Sequence, residues 1–211
     1  MTSRPVCAVL STAYLPPVEY FMAAVMTGRL LIEAHESYVK QSYRNRCRIY
    51  ACDGVLSLTV PVSMPAGSRE VSVALVDYSK PWLQQHKRAI VSAYRTSAFF
   101  EYYQDDIFPI LDSKPVCLLD LNMALTLRLL DLLGIRCTVS LTEEYRQSYG
   151  PEFLDLRDEI HPKKAVSEIF RDRFSPYYQV FSAKFGFIPG LSAVDLLFNE
   201  GPDAVSYLVR R

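Results

Sequence analysis

The chain lacks a net charge: 23 Lys and Arg are matched by 23 Asp and Glu. Bulk attraction to nucleic acid or to an anionic membrane surface is thereby excluded, and any recognition of an anion has to be local. The sequence also lacks an uncharged apolar run of 18 residues, so no spanning helix is expected, and its N-terminus has no apolar stretch of signal-peptide length. There is no Cys-x-x-Cys. The five cysteines, Cys7, Cys47, Cys52, Cys117 and Cys137, are odd in number and irregular in spacing. That pattern fits free thiols in a reducing, cytoplasmic setting better than a disulfide framework or a zinc site. Cys47 and Cys52, which flank an expected turn, are the pair to consider for a bridge. Internal repeats and low-complexity stretches are absent.

What is present suits a substantial core. Half of the 211 residues are apolar and 14 are tyrosine, a side chain that fits surfaces with one wet edge. The most informative stretch runs from Tyr38 to Val62. Leu56, Leu58, Val60 and Val62 alternate with Ser57 and Thr59, the period of a half-buried strand. Asp53-Gly54 between two such runs signals a hairpin. On its first limb Arg46 and Arg48 share a face opposite Cys47 and Ile49. Two guanidiniums on one strand face repel unless an anion or a carboxylate lies between them, and their forks of donors suit phosphate or carboxylate. The plainer alternative is a solvated face or pairing with local acids, Glu33 or Glu36.

The chain opens with an apolar run, Val6–Leu10, read as a strand. Pro16-Pro17 stops it, and a helix over 17–27 ends at Gly28. Residues 29–34 make a second strand, giving a βαβ-like opening whose first loop carries Ser11, Thr12 and Tyr14. Ligands of such units often lie at that loop. No glycine-rich fingerprint is there, so a dinucleotide site has no support. Glu33, His35 and Glu36 fall within four residues, but ligands from such adjacent positions converge poorly, and no metal is expected. Further strands are expected over 71–76 and 135–141, helices over 82–96 and 118–133, and a helical turn at Gln104–Ile107. His86 falls on the apolar stripe of the helix with Leu83, Ile90 and Tyr94. It is either a satisfied core histidine or an acid–base group at a cleft edge. From Thr142 the chain turns polar, then aromatic. The 142–211 segment is expected to dock on the core, with Ser192 capping a last helix and Asp195 completing a capping box. The fold class expected is α/β: a single domain over 1–211 with a central mixed sheet, a hairpin near 46–62 and flanking helices. The strands near 6–10, 29–34, 46–50, 55–62 and 135–141 are expected to share one sheet.

Several segments in order resemble the WbqC-like protein family. They are Tyr14-Leu15-Pro16-Pro17 with Tyr20-Phe21; Tyr43-Arg44-Asn45-Arg46-Cys47-Arg48-Ile49 with Leu58-Thr59-Val60-Pro61-Val62; and Trp82, His86, Ala93-Tyr94 and Phe99-Phe100. Leu121-Asn122, Leu133-Gly134-Ile135 and Leu191–Asn199 with Gly201 continue the match. Many members resemble Gln-Pro after the first strand; this chain has Ser11-Thr12-Ala13, so no role for that glutamine carries over. The resemblance implies bacterial surface polysaccharide biosynthesis, including O-antigen and amino-sugar pathways. The expected function is a cytoplasmic transferase acting on a nucleotide-activated amino sugar. In it Arg46 and Arg48 hold a diphosphate or an acyl donor's carboxylate, His86 is the general base, and Ser11, Thr12, Tyr14 and Asn45 complete one ligand pocket. The alternative is a non-catalytic module that binds a sugar nucleotide or a partner in the same pathway. Either way the expected partner is a small anionic ligand, such as a nucleotide sugar. No nucleic acid is expected, and no cofactor is specified.

Overall fold

The computed structural model describes residues 5–173 and 175–208. Strand β1 (Cys7–Ser11) leads through the double proline into helix α1 (Val18–Thr27), which ends at Gly28 with φ 69°. Only a residue without a Cβ takes that left-handed cap cheaply. Strand β2 (Arg29–Glu33) then returns parallel to β1, so the apolar run, proline stop and glycine cap do make a βαβ unit.

The hairpin follows as β3 (Arg46–Ala51) and β4 (Gly54–Thr59), with Cys47 opposite Leu58 and Ile49 opposite Leu56. Its turn is Cys52-Asp53, one residue earlier than Asp53-Gly54, because Gly54 at φ 103° already pairs with Ala51. Two-residue strands β5 (Val62–Ser63) and β6 (Leu75–Val76) pair antiparallel. Residues Val71–Val73, expected as strand, form a single 3₁₀ turn. Helices α2 (Trp82–Tyr94), α3 (Phe100–Asp112) and α4 (Leu118–Leu132) come next. Leu118, Leu121, Leu125 and Leu129 of α4 are fully buried, each contributing about 2 kcal/mol of transfer free energy.

Strands β7 (Thr138–Leu141) and β8 (Phe153–Asp155) complete a sheet in the order β7-β2-β1-β8, every neighbouring pair parallel. The protein is thus a single α/β domain with a central sheet, an antiparallel hairpin and flanking helices. The hairpin, however, does not share the central sheet. Its buried face (Cys47, Ile49, Leu58) packs on α2 and the C-terminal region, while β8, which no sequence period marked, takes the place beside β1.

Short helices α5 (Glu168–Arg171), α6 (Ser182–Phe185), α7 (Ala193–Glu200) and α8 (Ala204–Leu208) follow. Every residue of α7 from Ala193 to Asn199 is buried. The expected capping box is not formed: Ser192 makes no side-chain cap bond, and its Oγ is buried without a partner among the described residues. Asp195 instead accepts from Tyr94 Oη at 2.8 Å, Tyr177 Oη at 2.7 Å and Gln179 Nε2 at 2.9 Å. Tyr94 Oη in turn accepts the Tyr50 backbone N–H at 3.1 Å, so this carboxylate ties the hairpin, α2 and the C-terminal segment together.

Candidate functional site

From β1 the chain steps outward to β2 and then to β7, while β8 lies on the other side of β1. The order therefore switches between β1 and β8. In open parallel sheets, ligands bind outside the carboxyl ends of the strands at such a switch. The carboxyl ends here are Ser11, Glu33, Leu141 and Asp155. An open crevice of 620 Å³ lies at this edge, lined by Asp155 at the end of β8 and by residues that follow β2 (His35, Glu36, Ser37, Val39 and Arg44), β7 (Tyr145 and Gln147) and β8 (Arg157, Asp158 and Glu159). That volume suits a small-molecule ligand. A narrower cleft between the ends of β1 and β8 is walled by Ser11, Thr12, Arg44, Leu156 and Arg157.

Two guanidiniums organise this edge. Arg44 is buried and grips Glu36 with both ends of its fork: Nε donates to Oε1 at 2.8 Å and Nη2 to Oε2. Its Nη2 also donates to Ser11 Oγ at 3.0 Å, and that hydroxyl donates to Glu36 Oε2 at 3.0 Å. Burial raises the Glu36 carboxyl above its ordinary range, against the pull of Arg44. Asn122 of α4 fixes the floor, its Nδ2 reaching Thr12 Oγ1 at 3.1 Å and the Arg44 carbonyl at 2.8 Å. Arg157 fastens the strand ends. It donates to Asp155 Oδ1 at 2.9 Å, Asp155 Oδ2 at 2.6 Å, Glu33 Oε2 at 3.1 Å and the Arg146 carbonyl at 2.8 Å. The rings of Tyr145 and Tyr149 face its guanidinium at 5.4 and 4.9 Å. Hydrogen bonds to Asp155 raise its pKa further, so it stays charged. The crevice thus sets fixed donors beside fixed acceptors.

The structure divides the residues singled out from the sequence. Ser11 and Thr12 lie at this edge. Tyr14 and His86 lie inside the core, Tyr14 Oη at 3.0 Å from His86 Nδ1, with the Trp82 ring 5.0 Å from the imidazole. Burial pushes the His86 pKa down to about 4, partly opposed by a hydrogen bond to the Thr59 backbone. Asn45 is buried and donates to the Val60 carbonyl at 2.7 Å. Arg46 donates to Thr59 Oγ1 at 3.0 Å across the hairpin. Arg48 lines a separate cleft with Glu19 and Tyr43. Glu36 pairs with Arg44 and Glu33 with Arg157, not with Arg46 or Arg48. Sequence reasoning missed Arg44 because it precedes the strand whose parity drew attention to Arg46 and Arg48. Arg157 stood in a polar stretch with no period at all. The Leu121-Asn122 match was the one signal that reached this floor.

These features define an α/β protein with a polar crevice at the carboxyl edge of a parallel sheet. The chain belongs to the WbqC-like protein family, whose model matches residues 12–169. It is also similar to a Mycobacterium tuberculosis protein named Uncharacterized protein Rv1507c, 27% identical over 228 residues, covering 95% of this chain and 96% of that one. No solved structure matches it. Among the described residues no helix is long and apolar enough to cross a membrane.

Proposed function

We propose that the protein is a cytoplasmic transferase that modifies a nucleotide-activated amino sugar in the biosynthesis of bacterial surface polysaccharide. The observation that carries this reading is the carboxyl-edge crevice, where Arg44 and Arg157 stand beside Glu36, Asp155, Asp158 and Glu159. Sugar hydroxyls both donate and accept, and an amino group seeks a carboxylate, so a mixed rim of this kind suits an amino sugar. Ser11 and Thr12 position the ligand at the switch between β1 and β8. Glu36, whose carboxyl burial raises and which lines the crevice, is the proton acceptor in this reading. The general-base role expected for His86 gains no support from its burial behind Tyr14.

That burial favours the second reading, a module that binds a sugar nucleotide without converting it. Incubation with a panel of nucleotide-activated amino sugars and acyl donors, followed by mass spectrometry of the small molecules, separates the two. A mass gain on the sugar nucleotide that Glu36→Gln abolishes supports the transferase. Tight binding with no new mass supports the module, and neither binding nor turnover rejects both.

A further inference from the structure

A second cleft, of 490 Å³, lies against residues 162–166. It is lined by Glu19 of α1, Tyr43, Arg48 of β3, residues 162–166, Arg171 of α5 and residues 188–190. Four of its lining side chains are cationic: Arg48, Lys163, Lys164 and Arg171. In a chain whose charges cancel, such a grouping makes a local positive field. Lys164 Nζ donates to the Asp158 carbonyl at 2.5 Å, a neutral acceptor that leaves the ammonium charge in place. Arg171 meets Glu168 only at 3.8 Å, with both side chains exposed, a pairing too screened to cancel its charge.

The acid in the cleft is Glu19, 6% exposed, with Oε2 free of any hydrogen-bond partner among the described residues. Gly190 closes over it. At φ 70°, with a Cβ that would stand 2.8 Å from Glu19 Oε1, only glycine fits there. Burial raises the Glu19 carboxyl to about 7, offset in part by a backbone hydrogen bond and less by Arg48, so at neutral pH it does not bring a full negative charge against the cations. Tyr43 lines this cleft and also the narrow cleft at the carboxyl edge of β1. The stretch from Leu156 to Val166 walls both. The cationic cleft therefore shares Tyr43 with the narrow cleft, which in turn shares Arg44 and Arg157 with the crevice.

We infer that the cleft formed by Arg48, Lys163, Lys164 and Arg171 binds a phosphate or diphosphate group. Its assignment to the diphosphate of an activated sugar rests on the function proposed above; the anion site itself does not. Guanidinium forks and ammonium groups from a strand, a loop and a helix are the recurrent means of holding phosphoryl oxygens, and the one acid that lines the cleft, Glu19, is buried.

Isothermal titration of the full chain with inorganic pyrophosphate tests the site. Wild type is expected to bind, more weakly as salt rises. The Lys163→Ala/Lys164→Ala double variant, altered only at exposed side chains, should lose at least tenfold in affinity, and Arg48→Gln about tenfold. Arg88→Ala, on the exposed face of α2, should bind as wild type. Absence of pyrophosphate binding by wild type, or equal binding by the double variant, overturns the inference. Pyrophosphate bound in this pattern while no amino-sugar nucleotide binds or reacts would leave the anion site standing and remove the function proposed for the crevice.

Discussion

Tyr14 Oη and His86 Nδ1 lie 3.0 Å apart, both residues buried, and this contact joins the loop after β1 to the middle of α2. The imidazole is kept neutral there: burial takes its pKa from 6.5 to about 4. A base whose pKa falls on folding gives stability that is present above the unfolded value and lost as pH drops toward the folded one. His86 therefore favours the folded state above about pH 6.5 and loses that advantage on the way to pH 4. The full effect is about 3 kcal/mol as an upper figure. Urea unfolding of wild type and His86→Gln at pH 7 and pH 4.5 should show the gap between them shrinking in acid. A gap that stays constant would show that the imidazole does not titrate with folding.

The β1–α1–β2 opening was legible because every device in it is local: an apolar run, two prolines and Gly28. The hairpin was legible from its alternation, but not its place. Alternation says that one face is buried and not against what, and here the partner is α2 and the C-terminal region rather than the central sheet. Strand β8 has three residues, too few to show a period. Helix α3 was seen only as one turn around Gln104–Ile107, because a proline inside it reads as a stop; Ile107 and Leu111, buried on either side of Pro109, hold the helix through it. The site was half legible. The switch-point loop at Ser11 was indicated by topology, whereas the Arg44–Glu36 and Arg157–Glu33 pairs depend on strand order, which no local pattern encodes.

Asp195 is the point where the C-terminal segment is fastened. It accepts three side-chain hydrogen bonds, from Tyr94, Tyr177 and Gln179. Replacing it by alanine leaves two buried tyrosine hydroxyls and an amide with a lost partner, at about 3–5 kcal/mol in total. Asp195→Asn keeps the size and one acceptor and should cost less. Hydrogen exchange of residues 175–190 should quicken markedly in Asp195→Ala, with the β1–β2 pairing less affected. Unchanged exchange there would mean that the segment is held by its apolar contacts alone.

Arg44 and Glu36 form a buried pair, with side-chain exposures of 9% and 8%. Removing one partner leaves a buried charge alone, so Arg44→Ala should destabilise by about 3–5 kcal/mol. Replacing both together by apolar residues of like size, Arg44→Met with Glu36→Leu, should be close to neutral for stability. The same double variant should lose binding in the carboxyl-edge crevice, whose fixed donor and acceptor it removes. Chemical denaturation and ligand titration on both variants check the two claims separately. A double variant as unstable as the single one would show that the pair is held for folding rather than for the ligand.

The thiols supply the last prediction. Cys47 and Cys52, the pair flanking the hairpin turn, are kept apart by the strand between them. Cys47 stands opposite Leu58 while Cys52 is in the turn, and five residues of extended chain span roughly 15 Å, beyond the reach of a disulfide. All five cysteines are free. They differ in access: Cys52 is exposed, Cys117 and Cys137 are half-buried, and Cys7 and Cys47 are buried. Burial raises the thiols of Cys7, Cys47 and Cys137, that of Cys137 to about 11, which keeps them protonated and slow to react. A thiol reagent added to native protein at pH 8 should therefore label Cys52 first, well ahead of Cys47. Unfolded, unreduced protein should titrate five thiols. A count of three would establish a disulfide, and prompt labelling of Cys47 in the native state would show that the hairpin opens from α2 far more readily than its burial allows.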